Sequence, residues 1–213
     1  MKAMSKTIED KLNEGRQYRK IDLANLSIGD EMVVEGYATT FNEPYVLWRE
    51  KDYEVQEQVD SHAFDNADMS DVIMQYDHQG RVFARTSNST LELTPDEKGL
   101  KIRANLGGTE MGRQLYEEIK GGYTTKMSFG FTVSSDERLV QEDETKTTIL
   151  RTITGIGKLY DVSAVSLPAN DATEISARNI GEGVIADVAE ELRIREERKR
   201  RIQKIKILTE LSK

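Results

Sequence analysis

The 213-residue sequence contains no cysteine. That absence removes disulfides, thiolate nucleophiles and cysteine-built zinc sites together. Histidine is almost as scarce. His62 and His78 are the only two; they do not share a helical metal-ligand spacing, and they leave any serine–histidine mechanism with two candidate bases. No apolar run approaches the roughly twenty residues of a membrane span. The opening stretch MKAMSKTIEDKLNEGRQYRK lacks the apolar centre of a secretory signal. A cytoplasmic protein without membrane association is expected. The segment GGTEMGRQL lacks the Gly-Lys-Ser/Thr ending of a phosphate loop, and the GIG and GEG triplets stand outside any dinucleotide-binding pattern. Among 38 acidic residues some carboxylate pair always exists, so such a pair identifies no glycosidase.

What the chain does have is charge, unevenly distributed. Charged residues make up 32% and hydrophobic residues 37%, which suggests a globular body with solvated ends. Residues 190–213 carry nine Lys/Arg against five Glu, a net of +4, which leaves −12 of the total −8 on residues 1–189. An acidic body argues against a general nucleic-acid binder. The basic end reads as a solvated helix face or as a surface for an acidic partner.

Short β-patterned runs dominate from residue 31: EMVVEGYATTF, EVQEQV, DVIMQY, RVFART, STLELT and GLKIRANL. A helix is expected over 109–122, with Thr109 as N-cap, a Met111/Leu115/Ile119 stripe and Gly121–Gly122 as its stop. A strand follows at 125–134, then a charged, mobile excursion over 134–147, then two strands or one bent strand over 147–167. Gly181 and Gly183 read as a linker into a long helix, with Val184, Val188 and Leu192 early and Ile202, Ile205 and Leu208 later. The expectation is an α+β fold, mainly antiparallel, in three parts: a charged arm (1–30), the main domain (31–178), and a linker with a basic helix (179–213).

The stretch TTKMSFGFTV alternates Met127, Phe129, Phe131 and Val133 on one face with Lys126, Ser128, Gly130 and Thr132 on the other. Gly130 stands two residues from Ser128 and so on the same face, where a missing side chain would let a substrate backbone approach the hydroxyl. A serine hydroxyl needs a base, and the base needs an orienting group. His78, at the end of an apolar strand, is the better-placed base; His62, in DSHAFDNA, reads as a surface-turn histidine. Asp161, after an apolar strand in KLYDVSAVSLPAN, is the candidate orienter. Asp77 is the weaker one, because strand neighbours point to opposite faces. No Gly-x-Ser-x-Gly elbow is present, which excludes an α/β-hydrolase.

The segments YDHQGRVFARTSNSTLELTPDEKGLKIRANL, TEMGRQLYEEIKGGYTTKMSFGF and LYDVSAVSLPAN, in that order, resemble the prohead (head maturation) serine proteases of tailed bacteriophages. VEGYATTFNEP and SHAFDNA add to the likeness, although the family usually has glycine where His62 stands. The resemblance covers about residues 31–178. It implies an assemblin-like β-barrel ringed by helices, with Ser128 as nucleophile, His78 as general base and Asp161 as third member. It further implies oxyanion-hole amides in the SLPAN loop, at Ala169 and Asn170, and no metal or nucleotide cofactor. The implied substrates are scaffold and major capsid protein segments, and the chain itself, cut inside the assembling procapsid in the bacterial host cytoplasm. A homodimer is also implied by the assemblin likeness. Two other readings stand beside it: a non-catalytic capsid-assembly or scaffold protein that keeps the fold, suggested by the basic helix, and an esterase or amidase using the same residues.

Overall fold

The computed structural model describes residues 15–22, 27–28, 31–165 and 171–211. Within them the fold is α+β, as expected. Its spine is one long hairpin, β10 (Lys126–Glu142) and β11 (Thr147–Val165). Nine strands precede it: β1 (Gln17–Asp22), β2 (Ser27–Ile28), β3 (Val33–Thr40), β4 (Tyr45–Glu50), β5 (Tyr53–Val59), β6 (Ile73–Tyr76), β7 (Gln79–Arg85), β8 (Leu91–Pro95) and β9 (Gly99–Asn105). The helices are α1 (Glu110–Lys120) and α2 (Asp171–Leu211).

The strands pair in two sheets. One runs β1-β10-β11-β5-β4, with β6 also on β11 and β7 on β6; the other runs β2-β3-β9-β8. Among the described residues the pairing therefore does not close into the expected barrel. It is mainly antiparallel, as expected, with two exceptions on β11. β11 is long enough to pair with β5 through residues 147–153 and with β6 through 161–164, both in parallel.

The core fills the space between the sheets. Phe129 and Phe131 stack at 4.6 Å and meet Leu100, Ile102, Leu115 and Ile119. Helix α1 begins where the Thr109 hydroxyl oxygen accepts from the Gly112 N–H, and Gly122 at φ 74° ends it. Its buried face is Gly112, Leu115, Tyr116 and Ile119; Met111, placed on the stripe by sequence, is 39% exposed. Leu115 and Ile119 face inward as expected, and in the first turn Gly112 takes the inward place, packed against the Leu106 carbonyl where a side chain would not fit.

Three other expectations change. Residues 134–147 form the outer arms of the β10–β11 ladder, not a mobile excursion, paired from Asp136↔Ile153 to Glu142↔Thr147. On β10 most side chains near the tip are exposed and only Val140, paired with the buried Ile149, packs inward, so the alternation of that strand is weak. Residues 17–22, counted with the charged arm, form β1 along β10. Gly181 and Gly183, read as a linker, lie inside α2.

The reason for Gly181 is close approach. Here α2 crosses β4, and a Cβ at residue 181 would overlap Trp48 Cβ and lie 2.6 Å from Trp48 Cγ. Val184 and Val188 on the same helix join Val55 and Ile149 in a second apolar cluster. Gly183 faces open space. We therefore expect Gly181→Ala to destabilise the fold by about 1–3 kcal/mol through overpacking. Gly183→Ala should stabilise it by roughly 0.5–1 kcal/mol through the unfolded chain and helix propensity. Urea midpoints measure both; the opposite order would contradict the Trp48 crossing.

Candidate active site

The β6–β7 turn and strands β10 and β11 deliver the site. β6 and β7 pair at Tyr76↔Gln79, which leaves Asp77 and His78 as a two-residue turn with φ of 49° and 57°. Positive φ at both positions is the geometry of a type I′ hairpin turn, normally filled by Asn or Asp and then Gly. Asp77 suits the first position, and His78 in the place of glycine stores backbone strain of order 1–2 kcal/mol. The Asp77 N–H donates to the Ala164 carbonyl at 2.9 Å and holds the turn against β11. His78 is thus a turn residue, and its imidazole reaches over the face of the β10–β11 pair.

On that face the antiparallel register sets Ser128 opposite Ser163 and Gly130 opposite Asp161. Residues two apart on a strand share a face, so these four positions form a square. The Ser128 hydroxyl lies 2.6 Å from His78 Nε2, and His78 Nδ1 lies 2.5 Å from Asp161 Oδ1. Nδ1–H donating to the carboxylate leaves Nε2 as the acceptor for the serine proton. The structure thus brings Ser128, His78 and Asp161 into one hydrogen-bonded chain. Asp77 contributes its backbone to the turn. His62 is elsewhere, exposed, with Nδ1 3.1 Å from Asp65. Ala169 and Asn170 lie outside the described residues.

Gly130 is adjacent as expected, but its open space is filled. A Cβ there would overlap Asp161 Oδ2 and come within 2.8 Å of Tyr18 Cε1. The bare Cα admits the carboxylate rather than leaving a gap for substrate. Cross-strand register supplies this reason, which single-strand periodicity does not contain.

Two neighbours escaped sequence reasoning. Ser163, fully buried, donates its hydroxyl to Asp161 Oδ1 at 2.8 Å, so that oxygen accepts two hydrogen bonds. The signal was present in DVS: position 163 is two residues beyond Asp161 and shares its face. The second is Tyr18 on β1, whose ring lies 4.4 Å from the imidazole. Burial holds the Tyr18 hydroxyl above its ordinary pKa, against the nearby Arg16 guanidinium, so it stays neutral.

Behind the square, β1 is fastened by a buried charge cluster. Arg19 Nη2 donates to Glu57 Oε2 at 2.8 Å, and Arg19 Nε pairs with Oε1. Arg151 Nη1 meets Oε2 at 2.7 Å, Tyr45 donates its hydroxyl to Oε1 at 2.5 Å, and Arg151 Nε reaches Asp136 at 2.6 Å. Burial pushes the Glu57 carboxyl up, but Arg19, Arg151 and Tyr45 together outweigh it and hold it below its ordinary value.

Comparison with known proteins gives one family match. The family described as caudovirus prohead serine protease matches residues 19–184. No curated protein matches the sequence. Among solved structures, the bacteriophage T4 capsid assembly protease gp21 is similar at 12% identity, covering 70% of this chain and 98% of that chain with a TM-score of 0.39. That score is too low to support an argument about fold or function.

The packing of Asp161 over Gly130 makes a specific prediction. Gly130→Ala should push the carboxylate off Nδ1 and abolish the downfield proton NMR signal of a carboxylate-bound imidazole N–H. His62, the only other histidine, is exposed and does not obscure the region. An unchanged signal in the variant would contradict the packing.

Proposed function

The chain belongs to the caudovirus prohead serine protease family, and from that premise we propose that it is an endopeptidase working by acyl transfer through Ser128, His78 and Asp161. One observation carries the reading: the continuous chain from Ser128 Oγ to His78 Nε2 and from His78 Nδ1 to Asp161 Oδ1, at 2.6 and 2.5 Å.

In the proposed reaction, Ser128 Oγ attacks the peptide carbonyl while its proton passes to His78 Nε2. Asp161 holds Nδ1–H and stabilises the imidazolium, remaining ionised itself. The tetrahedral adduct collapses as His78 gives its proton to the leaving amine, and water, activated by the same imidazole, releases the acyl group. Ser163 steadies the Asp161 oxygen that receives Nδ1–H. The amides of Ala169 and Asn170 are proposed for the oxyanion.

The substrates proposed are segments of scaffold and major capsid protein, cut within the assembling procapsid, and the chain itself. Family membership supports a protease acting at the prohead; the particular substrates and self-cleavage are the proposal. The non-catalytic scaffold reading has no need of a hydroxyl, an imidazole and a carboxylate in one line.

Intact-mass analysis of the wild type beside Ser128→Ala, with the major capsid protein of the same phage added, tests this. Discrete fragments should accumulate in the wild type, and Ser128→Ala should slow their appearance on the order of 10⁴-fold or more. Its fold should be kept, at a cost of about 1 kcal/mol for the lost hydroxyl–imidazole bond. Equal cleavage by both would sink the mechanism; no fragments from either, together with no fluorophosphonate adduct on Ser128, would favour the scaffold reading.

A further inference from the structure

A protease must expose its nucleophile to another chain, yet Ser128 has no exposed surface, and the side chains of His78 and Asp161 are 8% and 2% exposed. The site is shut, and the geometry identifies an occupant. β10 has two edges: β11 lies on one, and β1 lies antiparallel on the other, in a register of Gln17↔Phe131, Tyr18↔Gly130, Lys20↔Ser128 and Asp22↔Lys126. A peptide that offers its carbonyl to Ser128 by strand addition needs the backbone groups along one of those edges. The β11 edge holds Asp161 and Ser163, so it cannot be given up. The other edge is already filled by six residues of this chain, in the extended form a substrate would adopt.

The side chains of β1 fit the same role. Tyr18 packs on the His78 ring and reaches toward Gly130, covering the imidazole where a substrate side chain would lie. Among the described residues β1 is the terminal strand of its sheet, paired with β10 alone, so its departure breaks no other ladder there. Its buried anchor is also releasable. If Arg19 withdraws, Glu57 keeps Arg151 at 2.7 Å and the Tyr45 hydroxyl at 2.5 Å, so no buried carboxylate is left without a partner.

We propose that the edge of β10 from Met127 to Phe131 is the substrate-binding edge, that its ligand is an extended peptide backbone, and that β1 is a resident occupant that must leave before another chain is cut. The inference rests on the protease reading above. In this register Lys20 takes the position facing Ser128, so Gln17–Lys20 is the built-in model of a bound peptide.

The chain's lack of cysteine makes a lock straightforward. Asp22 and Lys126 are direct antiparallel partners just beyond this edge. Such partners stand about 4.5–5.5 Å apart at Cα, within disulfide range. The full-length Asp22→Cys/Lys126→Cys variant would be treated, oxidised and reduced, with two reagents: a diphenyl phosphonate carrying the peptide Gln-Tyr-Arg-Lys, and a small fluorophosphonate. Adducts on Ser128 are counted by mass spectrometry.

The proposal expects peptidyl labelling of the reduced form, at least about a ten-fold loss on oxidation as the open population is removed, and recovery with dithiothreitol. Equal peptidyl labelling of the oxidised and reduced forms would overturn it. So would a reduced form that takes the small reagent but not the peptidyl one, and in both cases the protease reading would stand. If neither reagent labels Ser128 in the reduced variant or the wild type, the protease reading fails and takes this inference with it.

Discussion

The hydrogen bond between His78 Nδ1 and Asp161 Oδ1 is the point at which three distant parts of the chain must agree. It requires a hairpin turn that tolerates positive φ at Asp77 and His78, so that the imidazole leaves the sheet at the right angle. It requires a glycine at 130, because any Cβ would occupy the space of the carboxylate. It also requires Ser163 to hold the same oxygen from the other side. Strain in the turn and the missing side chain in β10 each lower local stability, and both are costs that serve to place this one bond.

The long β10–β11 hairpin makes the agreement possible. Its register brings 128 and 130 against 163 and 161, while β11 carries β6 and therefore the His78 turn on its opposite edge. The three hydrogen-bonded side chains sit on rigid strands or on a turn tied to one, the arrangement that holds such a geometry within narrow limits. On the far side, the Arg19–Glu57–Arg151 cluster fastens β1 where it covers the imidazole. A buried charge cluster contributes less stability than an apolar one of equal volume, but it sets geometry and register. Here it sets which residues of β1 face Ser128.

Much of this was legible in the sequence. With two histidines and no cysteine, the choice of base was nearly forced, and the alternation in TTKMSFGFTV put Ser128 and Gly130 on one face. The strands β3 and β5 to β9, and helix α1, carried ordinary apolar periodicity and capping signals. What escaped depended on partners far along the chain. β1 reads as a charged arm because the residue it buries is Arg19, whose burial makes sense only beside Glu57. Gly181 reads as a linker because the reason for it, Trp48, lies on another strand. The purpose of Gly130 is hidden until β11 supplies Asp161. Closure into a barrel was expected from family likeness alone, and strand periodicity carries no information about which edges meet.

The central claim is that Ser128 is a nucleophile made reactive by His78. The most direct measurement is the mass and site of the adduct formed with diisopropyl fluorophosphate, in the wild type and in His78→Ala. The account predicts a single adduct mapping to Ser128 in the wild type and none in the variant. An adduct on another serine, or equal modification of Ser128 without the imidazole, would contradict it.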